Sequence, residues 1–471
     1  MDLSEDDAVI ENGNPVFGLE VRGFEHIPEA ERNMRLSQIA PLWLGANMNM
    51  ISISLGCVAV VSGLNIWLAL GACVVGNLPY LYLGVASIGS VRVGVPITTL
   101  SRAAYGVHGN VLHAGLSWLA SVCFEALNTV FGVFAWVSLI GLLGFDPHSV
   151  TAKLFAVAVQ LAVGGGVAVL GHATMVYLQK FFAVTLGVVL LAVFWASLTT
   201  PAAARLWQGH MHLTPWAAAA TFMVACSVIA SQPISYLYNG PDWVRYLPQQ
   251  TSGRAIFVRV FWWTFGPCVV LTGMGVIWAT MGDMSDPVAG LRPLLPRWLY
   301  LALIGAVIAG SVANNAPTLY SSGLSLQATG IRLSRWMATL LDIAVSTAAV
   351  LYILFIQDLT SVLNIFAAVL VAWSGPYAGV WLADGVIRQW RLSLHDIHPL
   401  KGQAIGWRKT GWLAFAGGAV TAVATLHSPI FVGPIAQWLG GMDLSWVLGL
   451  LVAGGLYALM QLRKPSPAYP G

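Results

Sequence analysis

Stretches of about 20 predominantly apolar residues recur twelve times along this chain, and each is long enough to cross the hydrocarbon of a bilayer as a helix. They are read at 39–62, 64–89, 111–144, 153–171, 178–200, 214–239, 255–281, 297–328, 335–357, 360–384, 407–427 and 443–462, and are numbered here as spans 1 to 12. Hydrocarbon offers no water to backbone N–H and C=O groups, so these stretches predict an all-α integral membrane protein. Composition agrees: 57% of the 471 residues are hydrophobic and 9% charged, against about 25% charged in a soluble globule. The first 38 residues are polar, hold nine carboxylates and show no secretory signal pattern; they read as a tail that is disordered or lies on the surface.

Charge placement sets the orientation. If the N-terminus is inside, the inside segments hold all 22 lysines and arginines except Lys153, Arg205, Arg292 and Arg297. That asymmetry predicts a multi-pass protein of the cell membrane with both termini in the cytoplasm. A net charge of +3 without a basic run gives no case for nucleic acid. The five cysteines lie in apolar segments without CxxC spacing and read as small core residues. No metal triad, nucleophile elbow or phosphate loop points to an enzyme, and no cofactor is expected. The partners expected are the lipid bilayer and a small molecule; no feature assigns an oligomeric state.

Polar residues at mid-depth are the informative exceptions, because an unpartnered amide in hydrocarbon costs roughly 2–7 kcal/mol. Span 8 carries Asn314 and Asn315 with Pro317, whose missing N–H frees a carbonyl one turn back. Span 1 is interrupted by Asn47, Asn49, Ser52 and Ser54; span 3 carries Glu125 and Asn128 on one face; span 6 is read as broken by the stretch Ser231-Gln232-Pro233-Ile234-Ser235-Tyr236. Glu125 is either protonated at that depth or paired with a donor, and Asp342 in span 9 is a second intramembrane acid. A kink near Asn77 and Pro79 in span 2 reads as structural, and Asp242 with Arg245 after span 6 as an anchor or a gate latch. Span 6 is span 1 plus five and span 8 is span 3 plus five. Five is odd, so two successive five-helix units are inverted, the construction in which discontinuous helices at matching positions frame a substrate site. Amides, hydroxyls, one acid and rings, without lysine or arginine at depth, suit a small, neutral, planar molecule read by paired donors and acceptors.

Four stretches carry a family resemblance: ANNAPTLYSSGLSLQATG in span 8, WLGANMNMISISLG in span 1, SRAAYGVHG before span 3 and GPDWVRYLP after span 6. Together they resemble the nucleobase:cation symporter-1 family, especially its purine and cytosine permease branch. The resemblance implies a LeuT-like fold of two inverted five-helix repeats plus two C-terminal helices, alternating access, and uptake of a nucleobase or related heterocycle driven by protons or sodium. The chain then divides into a cytoplasmic tail (1–38), a first repeat (39–200), a second repeat (214–384), a cytoplasmic loop (385–406), spans 11 and 12 (407–462) and a C-terminal tail (463–471).

Carried over by position, Asn128 matches the span 3 amide that binds the base, and Phe124 falls where relatives often place a stacking tryptophan. Asn314, Asn315 and Pro317 match the span 8 elements that read the base edge, Asn49 and Ser52 match polar positions of span 1, and Gln232 stands where relatives have an aromatic and a glycine. Sodium-coupled members supply two hydroxyls from span 8 just before the amide; Ile308 and Ala309 occupy those positions, which favours proton coupling, with Glu125 as the carrier. The expected function is proton-coupled import of a purine or cytosine-like base. The alternatives are another heterocycle (a hydroxymethylpyrimidine-type thiamine precursor, hydantoin or allantoin), sodium as the coupling ion, and, from a different class, a channel.

Overall fold

The computed structural model describes residues 23–462 except 170–171, 208–212, 332, 334, 358, 393–396 and 398–405. The first 22 residues, most of the loop expected after span 10 and the C-terminal tail therefore lie outside the described residues. Within them the regular structure is helical, apart from one bridge between His427 and Val432. Nine helices are long and apolar enough to cross a membrane, and a bent pair brings the number to ten. Helices also occupy the two remaining expected positions, Val150–Val169 for span 4 and the 17-residue Lys409–Thr425 for span 11.

Span 1 is the bent pair: Ile39–Asn47 and Met50–Val61 meet at 58°. Asn49 makes the break possible. Its Oδ1 accepts from Ser52 N at 3.2 Å, capping the second half, while its Nδ2 donates to the Ala46 carbonyl at 3.0 Å. Span 6 ends its α-helix within the expected stretch: it stays helical through Pro233 from Pro215 to Ser235 and then tightens into 3₁₀ turns at Tyr236–Tyr238 and Gly240–Val244. Span 8 is likewise one continuous helix, Arg297–Ala328, with Pro317 inside it.

The helix pairings carry the repeat. Span 3 (Val107–Leu142) packs on span 8; span 1 packs on span 7 (Gly253–Met281) as span 6 packs on span 2 (Ile66–Val93). Span 5 (His172–Leu198) meets span 1 as span 10 (Leu359–Ile387) meets span 6, and span 4 meets span 8 as span 9 (Arg335–Phe355) meets span 3. Exchanging each span for its partner five places on maps this set onto itself. Span 12 (Ser445–Leu462) packs with span 11 against span 10, outside the repeat.

Two hydrophobic clusters divide the molecule by depth. One, on the side of the N-terminal segment (the tail side), includes Trp43, Tyr80, Tyr236, Trp243 and Tyr377; the other, on the far side, includes Ile53, Val130, Phe131 and Trp278. The mid-depth polar residues fall between them. The described part of the tail, residues 23–38, is not loose chain: Ile27 and Met34 are buried, Ile27 N donates to the Gly94 carbonyl at 2.9 Å and Met34 N to the Tyr246 carbonyl at 3.0 Å.

Candidate functional site

Spans 1, 3, 6 and 8 bring their polar residues together into one interlocked cluster. Asn128 Nδ2 donates to the Ser311 carbonyl and to Asn315 Oδ1, both at 2.9 Å, and the Ser311 hydroxyl returns a bond to the Asn128 carbonyl at 2.7 Å. Asn315 Nδ2 donates to the Thr129 hydroxyl at 2.9 Å. Asn314, one residue earlier and therefore about 100° around the helix, faces the other way. Its Nδ2 donates to the Ala46 carbonyl, left over at the break of span 1, at 2.6 Å and to the Tyr236 hydroxyl at 3.2 Å. Gln232 Nε2 donates to Ser52 Oγ at 2.9 Å, tying span 6 to span 1. All of these side chains are buried.

Pro317 contributes through what it lacks. Without its N–H, the Ala313 carbonyl has no helical donor, and Gln179 of span 5 supplies one, Nε2 donating at 2.6 Å. Gln179 was not singled out in the sequence, where it adjoins Lys180 in an otherwise apolar run, nor were Tyr236, Thr129 and Ser311. The signal that could have found Gln179 is the demand of that freed carbonyl for a buried donor.

Several buried polar atoms of the cluster have no partner in the structure: Asn128 Oδ1, Gln232 Oε1, Ser54 Oγ and both amide atoms of Asn47. Asn128 Oδ1 and Gln232 Oε1 are acceptors contributed by different repeats, so a ligand carrying N–H donors has two places to put them. Two expected site residues have other duties. Both polar ends of Asn49 hold the break of span 1. Phe124 is half-buried edge-on against Phe366 of span 10, ring centroids 5.2 Å apart, at the boundary of the two hydrophobic clusters.

The tail side is shut beneath the cluster. Trp43 lies against Trp243 at 4.4 Å and edge-on to Tyr236 at 5.3 Å, and Trp243 Nε1 donates to the Ser321 hydroxyl at 3.1 Å. Arg245 donates to the Gly23 carbonyl at 3.0 Å and the Tyr320 hydroxyl at 2.7 Å, and Asp242 Oδ1 accepts from Ile97 N at 2.7 Å. Arg102 joins the Ala328 and Ile397 carbonyls at 3.0 and 3.2 Å, so the loop before span 3 clamps the end of span 8. On the far side, a cavity of about 250 Å³ runs along Ser54, Val58, Ser62, Val228 and Asn364 toward the break of span 1. The tail face is thus closed, and the cavity on the opposite face stops short of the amide cluster, none of whose amide side chains lines it.

Burial pushes the Asp242 carboxyl up to about 7, against the pull of the Ile97 N–H and Arg245. The folded protein therefore holds this proton more tightly than the unfolded chain; the stabilisation is full below the ordinary carboxylate range and is lost as pH rises through about 7. Thermal stability of the wild type is expected to decline between pH 5 and 8 by an increment that Asp242→Asn removes, and superimposable pH profiles would contradict this.

Two inverted five-helix units crossing at a broken helix, with a buried amide cluster at the crossing, are the construction of a membrane transporter. The model of the family described as permease for cytosine/purines, uracil, thiamine, allantoin matches residues 26–449, and the chain belongs to that family, the nucleobase:cation symporter-1 group. YxlA, a candidate purine-cytosine permease of Bacillus subtilis, is 24% identical over 465 residues, covering 95% of this chain and 96% of the relative. The hydantoin permease of Microbacterium maritypicum is 22% identical over 93% of this chain and 88% of its own length. Among solved structures, Mhp1, a nucleobase-cation-symport-1 family transporter in a closed conformation with bromovinylhydantoin bound, superposes with a TM-score of 0.73 at 18% identity, covering 93% of this chain and 94% of that one.

Proposed function

We propose that this protein imports a purine or cytosine-like base across the cell membrane together with a proton, with both termini in the cytoplasm. The observation that carries the reading is the amide cluster: Asn314 of span 8 and Gln232 of span 6 meet the broken span 1 while Asn128 and Asn315 join spans 3 and 8, with Asn128 Oδ1 and Gln232 Oε1 left as open acceptors. Such a site reads a neutral edge of N–H and C=O groups, and the purine-cytosine relatives point to a base rather than an amino acid. Hydantoin, named for one relative, presents a comparable imide edge and is the second reading of the substrate.

Proton coupling is supported by what lies between the break of span 1 and span 8. Ile308 and Ala309 offer no hydroxyls there, Gly310 lets the Met48 carbonyl approach so closely that a Cβ would stand 2.5 Å from it, and the Ala313 carbonyl is already occupied by Gln179. Replacing sodium by choline is expected to leave uptake within about twofold, and collapse of uptake would place an ion site on these residues. Glu125, buried beside the amide layer, is the proton carrier in this reading. Uptake by Glu125→Gln is expected to lose most of its dependence on external pH between 5 and 8; a wild-type profile in that variant would remove Glu125 from the mechanism. Binding of base and proton together favours the occluded state over either alone, and that difference drives alternation.

A further inference from the structure

Spans 3, 8 and 9 enclose a second buried polar cluster, and it contains two acids. Glu125 and Asp342 are both almost completely buried. Glu125 Oε1 accepts from the Ser346 hydroxyl at 3.1 Å, while its Oε2 has no partner. Asp342 accepts from Trp118 Nε1 on one oxygen and from the Ser322 hydroxyl on the other. Asp342 and Ser346 are four residues apart on span 9, Trp118 and Glu125 seven apart on span 3, so each pair shares a helix face and the acids stand along one seam.

Ser346, which donates to Glu125, lies one helical turn from Asp342 on span 9, and this places the two acids side by side. Among the described residues, no lysine, arginine or histidine is hydrogen-bonded to or ion-paired with either acid. Span 4, packed against all three helices, brings Lys153, but that ammonium lies over the Phe355 ring, thirteen residues beyond Asp342 on span 9. His113 of span 3 is held among the rings of Tyr105, Tyr377 and Trp412, and Arg245 sits over Tyr320 on another face of span 8. Two neighbouring carboxyls at this depth, without a counter-cation, are not both ionised, so the pair keeps one proton throughout and has room for a second, which is the one that can be carried.

We propose that Glu125 and Asp342 together form the site of the transported proton, loaded at substrate depth through Glu125 and emptied toward the tail side through Asp342. This rests on the proton-symport reading above and names its second residue. The link to the amide cluster runs through span 8 and the span 3 backbone: Asn315 Nδ2 reaches the Glu125 backbone carbonyl at 3.4 Å, and Asn315 and Ser322 lie seven residues apart, so one helix touches both the amide cluster and Asp342. Toward the tail side, Ser117 of span 3 and Ser325 of span 8 are buried hydroxyls without a partner, positions where water can bridge. Asp342 is a positioning and proton-holding group; it does not touch the base.

The test separates exchange from accumulation. Purified wild-type and Asp342→Asn protein is placed in vesicles containing a pH-sensitive dye, and cytosine and hypoxanthine are added in turn. Wild type is expected to acidify the interior with one of them and, under a one-unit inward proton gradient, to accumulate it about tenfold. Asp342→Asn is expected to exchange the same base across the membrane at a rate within about threefold of wild type, yet to give no acidification and no accumulation above about onefold. Asp342→Glu, which restores the acid, is expected to regain part of both. Full accumulation and acidification by Asp342→Asn would overturn the pair while leaving proton symport standing. Loss of exchange in both variants would make Asp342 a structural residue and overturn it as well. Accumulation by wild type without acidification would remove proton symport itself, and the pair with it.

Discussion

Asn128→Ala and Asn314→Ala are each expected to lower base uptake by about 10- to 100-fold while the protein still reaches the membrane. Each substitution deletes a donor that the surrounding helices need: Asn128→Ala strips Asn315 Oδ1 and the Ser311 carbonyl of their bond, and Asn314→Ala leaves the Ala46 carbonyl with Asn49 alone. An orphaned buried acceptor costs about 1–3 kcal/mol, and the same order is lost again where the amide would have met the base. The effect should fall on uptake more than on folding, because the cluster joins helices that must also part during transport. Uptake by both variants at the wild-type rate, from equal amounts of membrane protein, would remove the amide cluster as the substrate site.

Gly56→Ala and Gly275→Ala are expected to destabilise the protein by about 1–3 kcal/mol each, through overpacking. A Cβ on Gly56 would stand 1.9 Å from the Thr272 carbonyl oxygen, and one on Gly275 1.9 Å from that of Ile53. The second half of span 1 and span 7 thus touch backbone to backbone, and a methyl group at either position forces them apart. Gly266, on the same span 7, meets nothing within 4 Å, so Gly266→Ala should go the other way and stabilise by about 0.4–1 kcal/mol. Thermal melting in detergent checks the contrast in sign; three equal shifts would mean that the close approach of these helices carries no weight.

The membrane fold and its repeat were legible because both rest on coarse features, the length of apolar runs and the five-span offset of their polar interruptions. The convergence of Asn128, Asn314, Asn315, Ser52 and Gln232 also followed from depth alone. Direction did not. Asn314 and Asn315 read as a pair, but adjacent helical residues point about 100° apart, and the structure sends one to spans 1 and 6 and the other to span 3. Asn49 shows the same limit: an amide next to a helix break can serve a ligand or the break, and its bonds to Ala46 and Ser52, which hold the break, are visible only in the structure. The break of span 6 was legible as a stretch but not as a point: Pro233 costs one hydrogen bond, which a packed helix absorbs, and the α-helix ends two residues later at Ser235. The order of residues 23–38 was hidden for a different reason, since their partners are carbonyls of distant loops, which carry no trace in the local sequence.

Uptake of radiolabelled cytosine, adenine, hypoxanthine, uracil and allantoin into cells lacking their own carriers, with and without a protonophore, tests the central claim most directly. Accumulation of cytosine or a purine that collapses when the protonophore is added is the predicted result. Accumulation that persists with the protonophore and disappears when sodium is withdrawn, or uptake of none of the bases by protein present in the membrane, would contradict it.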